Sequence, residues 1–131
     1  MITNINIFKK IYETFNPNIA EFLEKMKALE NEYKDKGVLL ELQTSYFQSI
    51  YISKIVVPKD NREQGIGSAF MKALTTLADE YGVILTLSPA NTYGGTVSRL
   101  KKFYNRFGFV DNKGRKKDYR FLYEMIRIPK E

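Results

Sequence analysis

Apolar side chains recur along this chain with two different periods. Over residues 18–36, Ile19, Phe22, Leu23, Met26, Leu29 and Tyr33 fall three and four apart, which predicts an amphipathic helix. Asn16-Pro17-Asn18 supplies a turn and a cap before it, and Gly37 a stop after it. A weaker helical spacing runs through Ile5, Phe8, Ile11, Tyr12 and Phe15. Residues 38–44 and 49–57 are rich in β-branched and apolar side chains and predict two strands joined by a turn at 45–48. A second strong helical stripe follows, through Ile66, Ala69, Phe70, Ala73, Leu74, Leu77 and Tyr81. Residues 83–87 predict a short buried strand, and 88–96 a loop carrying Pro89 and Gly94-Gly95. Val97, Leu100, Phe103, Tyr104 and Phe107 mark a short helix, and Phe109-Val110 and residues 122–128 predict closing strands. This order describes an α+β chain with a central mixed sheet, helices on both faces, and no domain boundary within 1–131.

One junction in this pattern carries chemistry. The strand ending at Ile55, Val56, Val57 and Pro58 runs into a polar turn with Arg62, Glu63, Gln64 and Gly65, and a helix opens at Ile66, Gly67 and Ser68. The first N–H groups of a helix have no partner within it, and the helix dipole is positive at that end, so the junction is an anion site. Gly65 and Gly67 let a ligand approach the backbone closely. Arg62 adds a planar charged fork suited to phosphate oxygens. A pyrophosphate cradle is the chemistry that these residues share. Two other phosphate loops are excluded. Gly67 is followed by Ser68 and Ala69 rather than by the Lys-Ser/Thr of a P-loop, and Phe70 stands where a dinucleotide fingerprint needs a third small residue.

At this point the chain resembles the GNAT superfamily of acyl-CoA-dependent N-acetyltransferases. The family signature Arg/Gln-x-x-Gly-x-Gly/Ala is matched by Arg62, Gly65 and Gly67. A second landmark, Phe-Tyr-x-x-x-Gly-Phe, is matched by Phe103, Tyr104, Gly108 and Phe109 in the expected order and separation. The resemblance covers roughly residues 38–128. It implies an α/β-type GNAT fold with a mostly antiparallel sheet, an acyl-CoA-binding core over 38–128 and a helical N-terminal part over 1–37. It also implies acetyl-CoA as acyl donor and direct transfer to a primary amine of a small molecule, peptide or protein, in a ternary complex. The backbone of Ile55, Val56 and Val57 would hold the pantetheine arm, and the amides from Gln64 to Ser68 the pyrophosphate. Tyr104 would protonate the departing thiolate.

Composition narrows the alternatives. The 131 residues include no cysteine and no histidine, which excludes Ser-His and Cys-His nucleophilic catalysis and any ordinary zinc site. No metal is expected. Neither a membrane-length apolar run nor a signal-peptide pattern is present, and a cytoplasmic protein is the expectation. Two departures from the family stand out. Many members carry a glutamate on the strand before the Arg-containing turn, whereas Tyr51, flanked by Ser49 and Ser53, lies near that place here. That leaves the general base unassigned, with Glu41 on the preceding strand as a distant candidate. Val97 replaces a family asparagine seven residues before the tyrosine, and Asn91 is the candidate to take over its contacts with pantetheine.

Charge is uneven. Residues 1–98 hold ten Lys/Arg and eleven Asp/Glu, while 99–131 hold eleven Lys/Arg against four acids, densest at Lys113-Gly114-Arg115-Lys116-Lys117. This basic third is suited to the CoA phosphates, an acidic surface or nucleic acid. Two further readings therefore stand beside the first: acetylation of a nucleic-acid-linked amine such as that of an aminoacyl-tRNA, and a non-catalytic acyl-CoA-binding module. The resemblance also leaves a homodimer open.

Overall fold

The computed structural model describes residues 18–57, 65–89 and 96–130. Helix α1 (Ile19–Asp35) buries Phe22, Met26 and Tyr33, the stripe that its periodicity predicts. Strands β1 (Leu39–Ser45) and β2 (Ser49–Val56) form an antiparallel hairpin. Its turn sets Phe47 and Gln48 at φ of 60° and 56°, a left-handed conformation unusual for side chains of this size. Gln48 anchors the turn to the rest of the fold: its Nε2 donates to Gly82 O at 2.9 Å, and its carbonyl accepts from Ile84 N at 3.1 Å.

Helix α2 (Ile66–Tyr81) lies between two glycines, Gly65 and Gly82, both at φ 69°. Strand β3 (Ile84–Leu87) follows and is buried throughout. Helix α3 (Val97–Asn105) is capped by Thr96, whose hydroxyl accepts from Arg99 N at 3.2 Å. Strands β4 (Val110–Asp111) and β5 (Met125–Arg127) close the fold. The sheet order is β1-β2-β3-β5-β4, with β2 and β3 parallel and every other pair antiparallel. This is the α+β architecture with a mixed, mostly antiparallel sheet.

Ile50, Ile52, Leu85, Leu87 and Met125 share one face of the sheet by register and pack with Phe22, Phe70, Met71 and Leu74 in the main core. Aromatic pairs tie the helices together: Phe22 lies 5.8 Å from Tyr81, and Tyr33 meets Phe70 edge-on at 5.2 Å. Ile84 and Ile126 face the other way, where Phe121 and Tyr123 from an irregular segment cover them. All three described helices contribute to the main core. The helix expected over 5–15 lies outside the described residues.

The final strand is shorter than its sequence predicts. Residues 122–124 read as the start of a strand, yet β5 begins at Met125. Within 122–124, Glu124 N donates to Ser88 Oγ at 3.1 Å and Glu124 O accepts from Asn112 N at 2.8 Å, while buried Asn112 organises the loop just before. Its Nδ2 donates to Asp118 O (3.1 Å) and Phe121 O (3.2 Å), while its Oδ1 accepts from Asp118 N (2.7 Å). These side-chain bonds satisfy backbone groups of 118–121 and hold that stretch as a loop leading into β5.

Beyond it, Arg127 is only 3% exposed and pairs with both oxygens of Asp79 on α2, at 2.7 and 2.9 Å. Its Nε donates to Phe107 O at 2.6 Å, and Lys130 N donates to Asp79 Oδ1 at 2.8 Å. Hydrogen bonding from Arg127 holds the Asp79 carboxyl below the usual range. No helix among the described residues is long and apolar enough to cross a membrane.

Candidate active site

A cleft opens where two parallel strands part. The β2–β3 ladder runs from Ser49↔Ile84 to Ile52↔Leu87 and stops, while β2 continues to Val56, its strand partner among the described residues being β1. The far half of β2 therefore presents a strand edge to the gap. A bulge lies at the point of divergence. Glu41 faces Lys54 and Leu42 faces Ile52, which leaves Ser53 with no partner residue on β1. Ser53 Oγ donates to Glu41 Oε2 at 3.2 Å, so a carboxylate on β1 is linked to the cleft wall.

The cleft has a volume of about 470 Å³. β2 and the residue after it contribute Ile55, Val56 and Val57, the start of α2 contributes Gly65, Gly67 and Ser68, and α3 contributes Tyr104. The structure thus gathers seven residues singled out from sequence. Ile66 packs its side chain against the main core instead. Arg62, Glu63, Gln64 and Asn91 lie outside the described residues.

The start of α2 suits an anion. Among the described residues, no side chain caps it and no acidic residue stands in its first turn. Gly65 sits in the left-handed region with open space around it, so its role is conformational. Gly67 has a different reason. A Cβ there would lie 3.1 Å from Val57 Cγ2 and 3.8 Å from Phe103 Cζ. This glycine lets the helix approach β2 and α3 closely.

Tyr104 is 6% exposed, with its ring set edge-on against Phe103 (5.3 Å) and Phe109 (5.8 Å). No described residue hydrogen-bonds its hydroxyl. Because no buried polar side-chain atom among the described residues lacks a partner, that hydroxyl reaches the open cleft. Burial pushes the phenol up to about 12, so it is a neutral donor throughout the physiological range.

Sequence reasoning missed two cations. Arg99 and Arg106 both line the cleft, and Arg106 lies over the Phe103 ring at 5.1 Å. Their seven-residue spacing, two helical turns, was the available signal: it predicts one face, shared with Phe103. Among the described residues, no cluster of acidic side chains could hold a metal ion.

Comparison with known proteins adds the following. A family model described as an acetyltransferase (GNAT) domain matches residues 23–111. No curated protein sequence matches the chain. Among solved structures, Ard1 from Thermoplasma volcanium is 24% identical over 72% of this chain and 64% of its own, with a TM-score of 0.48. Arabidopsis thaliana Naa50, solved with the bisubstrate analogue CoA-Ac-MVNAL, is 20% identical over 69% and 62%, with a TM-score of 0.45. A protein from Bacteroides thetaiotaomicron described as a GNAT-family acetyltransferase is 17% identical over 72% and 56%, with a TM-score of 0.46. The chain spans less than two thirds of the length of each of these three.

Proposed function

The chain belongs to the GNAT family of acetyltransferases, and we propose that it moves an acetyl group from acetyl-CoA to a primary amine within the β2–β3 cleft. The observation that carries this reading is the parting of two parallel strands beside an uncapped helix start, with a neutral phenol in the same cavity. Acetyl-CoA would supply the activated acyl group, a diphosphate and an amide-rich arm. The first-turn amides of α2 fit the diphosphate, and Arg62 precedes them in sequence. Arg99 and Arg106 add positive charge to the same cleft. The edge that Ile55 and Val56 present beyond the end of the β2–β3 ladder accepts an extended arm as an added strand.

Tyr104 donates a hydrogen bond to the sulfur as negative charge develops there. The Ser53–Glu41 hydrogen bond supplies a route for the proton lost by the amine. With neither cysteine nor histidine in the sequence, no Cys- or His-bound acyl intermediate is available, which supports the direct transfer that the family resemblance implies.

Thermal unfolding with acetyl-CoA, CoA, ATP and NAD in separate wells tests the binding half. A ligand at about a hundred times its dissociation constant adds about 2.7 kcal/mol. A rise in Tm with acetyl-CoA and CoA but not NAD is the expected result, and no rise with either thioester or thiol overturns the reading. Thiol release on mixing with small amines, peptides and proteins then tests transfer.

A further inference from the structure

We propose that the loop over residues 113–122 and the β1–β2 turn together form a binding surface for single-stranded nucleic acid. The inference does not rest on the acetyltransferase reading, since it concerns residues outside the cleft.

Four apolar side chains on these two segments face outward. Leu122 is 95% exposed, Tyr119 80%, Tyr46 73% and Phe47 54%. Contacts bridge the two segments: Phe47 meets Phe121 edge-on at 6.1 Å, and the Arg120 guanidinium lies 5.4 Å from the Phe47 ring and 5.3 Å from Phe121. Exposed apolar side chains gathered in one region mark an interaction site.

The surface is held in shape. Asn112 fixes the loop from inside, and Asp118 pairs with Arg120 at 2.7 Å. Phe47 is presented from a left-handed backbone conformation that disfavours a bulky side chain, and strain of this kind persists where the surrounding structure over-determines it. Tyr123 adds rigidity by stacking on Tyr51 of β2 at 4.0 Å with planes 10° apart. Rings displayed on a fixed frame lose little entropy when a partner docks.

Charge selects the partner. Residues 113–120 carry five cations against one carboxylate. Arg120 is tied to that carboxylate, Asp118, and Lys113 lies 3.6 Å from Asp111. Arg115, Lys116 and Lys117 form no ion pair among the described residues, and Lys117 Nζ lies 5.3 Å from the Tyr119 ring. Cations interleaved with open aromatic faces match a polymer of phosphates and flat bases. An acidic peptide would meet the cations but offers no flat groups to Tyr119 and Tyr46. A duplex hides its base faces within the stack.

The test is fluorescence anisotropy of the full chain with fluorescein-labelled 12-mers of oligouridylate and oligoadenylate, from 50 to 200 mM salt. Binding is expected, with a slope of log K against log salt of about −2, because three free cations each release roughly 0.7 counterion from a single strand. Tyr119→Ala should weaken binding by about 5- to 150-fold, the effect of losing one stacked base. Replacing Arg115, Lys116 and Lys117 together by Ala should flatten the salt slope. Far-ultraviolet melting of each variant checks the fold, and both changes lie on the surface. No binding at 50 mM salt overturns the proposal, as does binding that ignores Tyr119→Ala. Equal displacement of the oligonucleotide by oligoglutamate at matched charge would assign the surface to acidic proteins instead.

Discussion

Replacing Tyr104 by Phe tests the chemistry of the cleft at one atom. The phenol lies near 12 because its burial disfavours the phenolate. An ordinary thiol lies near 8.5, so complete proton transfer from Tyr104 to a thiolate is uphill by roughly 3.5 units, about 5 kcal/mol. Full donation therefore needs further help, whereas a hydrogen bond to the sulfur as charge develops does not. A hydrogen bond to a charged group contributes about 1.5–3 kcal/mol, which corresponds to roughly 10- to 150-fold in rate. Tyr104→Phe should lower kcat by that factor and leave KM for acetyl-CoA nearly unchanged, because the interaction strengthens only as the thioester breaks. The ring contacts with Phe103 and Phe109 survive the substitution, so Tm should hold. The assay is steady-state thiol release with an amine acceptor, repeated from pH 6 to 10. The phenol contributes no alkaline limb over that range in the parent protein. An unchanged kcat would refute the assignment. An alkaline limb near pH 10 that disappears in the variant would show that the phenol ionises near its ordinary value.

Three further perturbations bear on the cleft and the fold. Gly67→Val places carbon 3.1 Å from Val57 Cγ2, where Ala already requires a small shift, and should abolish the acetyl-CoA Tm rise while the far-ultraviolet spectrum keeps its helix content. Gly65→Ala meets no atom within 4 Å but adopts a left-handed φ, so it should cost about 1–2 kcal/mol in denaturant melts with little loss of ligand affinity. Asp79→Asn strips the carboxylate from buried Arg127 and should cost about 2–3 kcal/mol, less than for a fully buried pair because Asp79 is partly exposed, seen as a Tm fall of roughly 10 °C. The Asp79 pKa is depressed in the folded state, so its contribution is present above about 3.9 and lost as pH falls through the folded value. The Asn variant should therefore lose stability less steeply in acid, and an acid limb as steep as the parent's would show that other carboxylates set it.

Much of the local structure was legible because it depends on neighbours in sequence. Helices α1 and α2 follow their apolar stripes to within a residue of the expected ends, since period 3.6 places one face against a core whatever that core is. Gly65 and Gly67 were singled out as one motif, yet they act differently. Gly65 answers to its own φ, a local property. Gly67 answers to Val57 and Phe103, which reach it only after folding. The false strand at 122–124 has the same origin. Its apolar composition suits a strand, and its bonds go instead to groups distant in sequence, Glu124 N to Ser88 Oγ and Glu124 O to Asn112 N.

The sequence by itself determined helices α1, α2 and α3 and strands β1 to β3, the glycine-rich start of α2, and the exclusion of cysteine and histidine chemistry. Each is a property of residue type and spacing, and needs no knowledge of what lies opposite. Tertiary structure alone decided where β2 leaves β3, that Arg99 and Arg106 join the cleft, and that Tyr104 is buried with its phenol pushed further up. It also decided that Arg127, one of eleven cations in the basic third, is consumed by a buried pair with Asp79, 48 residues away. The physical reason is common to all of these. Burial, strand divergence and charge pairing depend on groups distant in the chain, and periodicity records only the near ones.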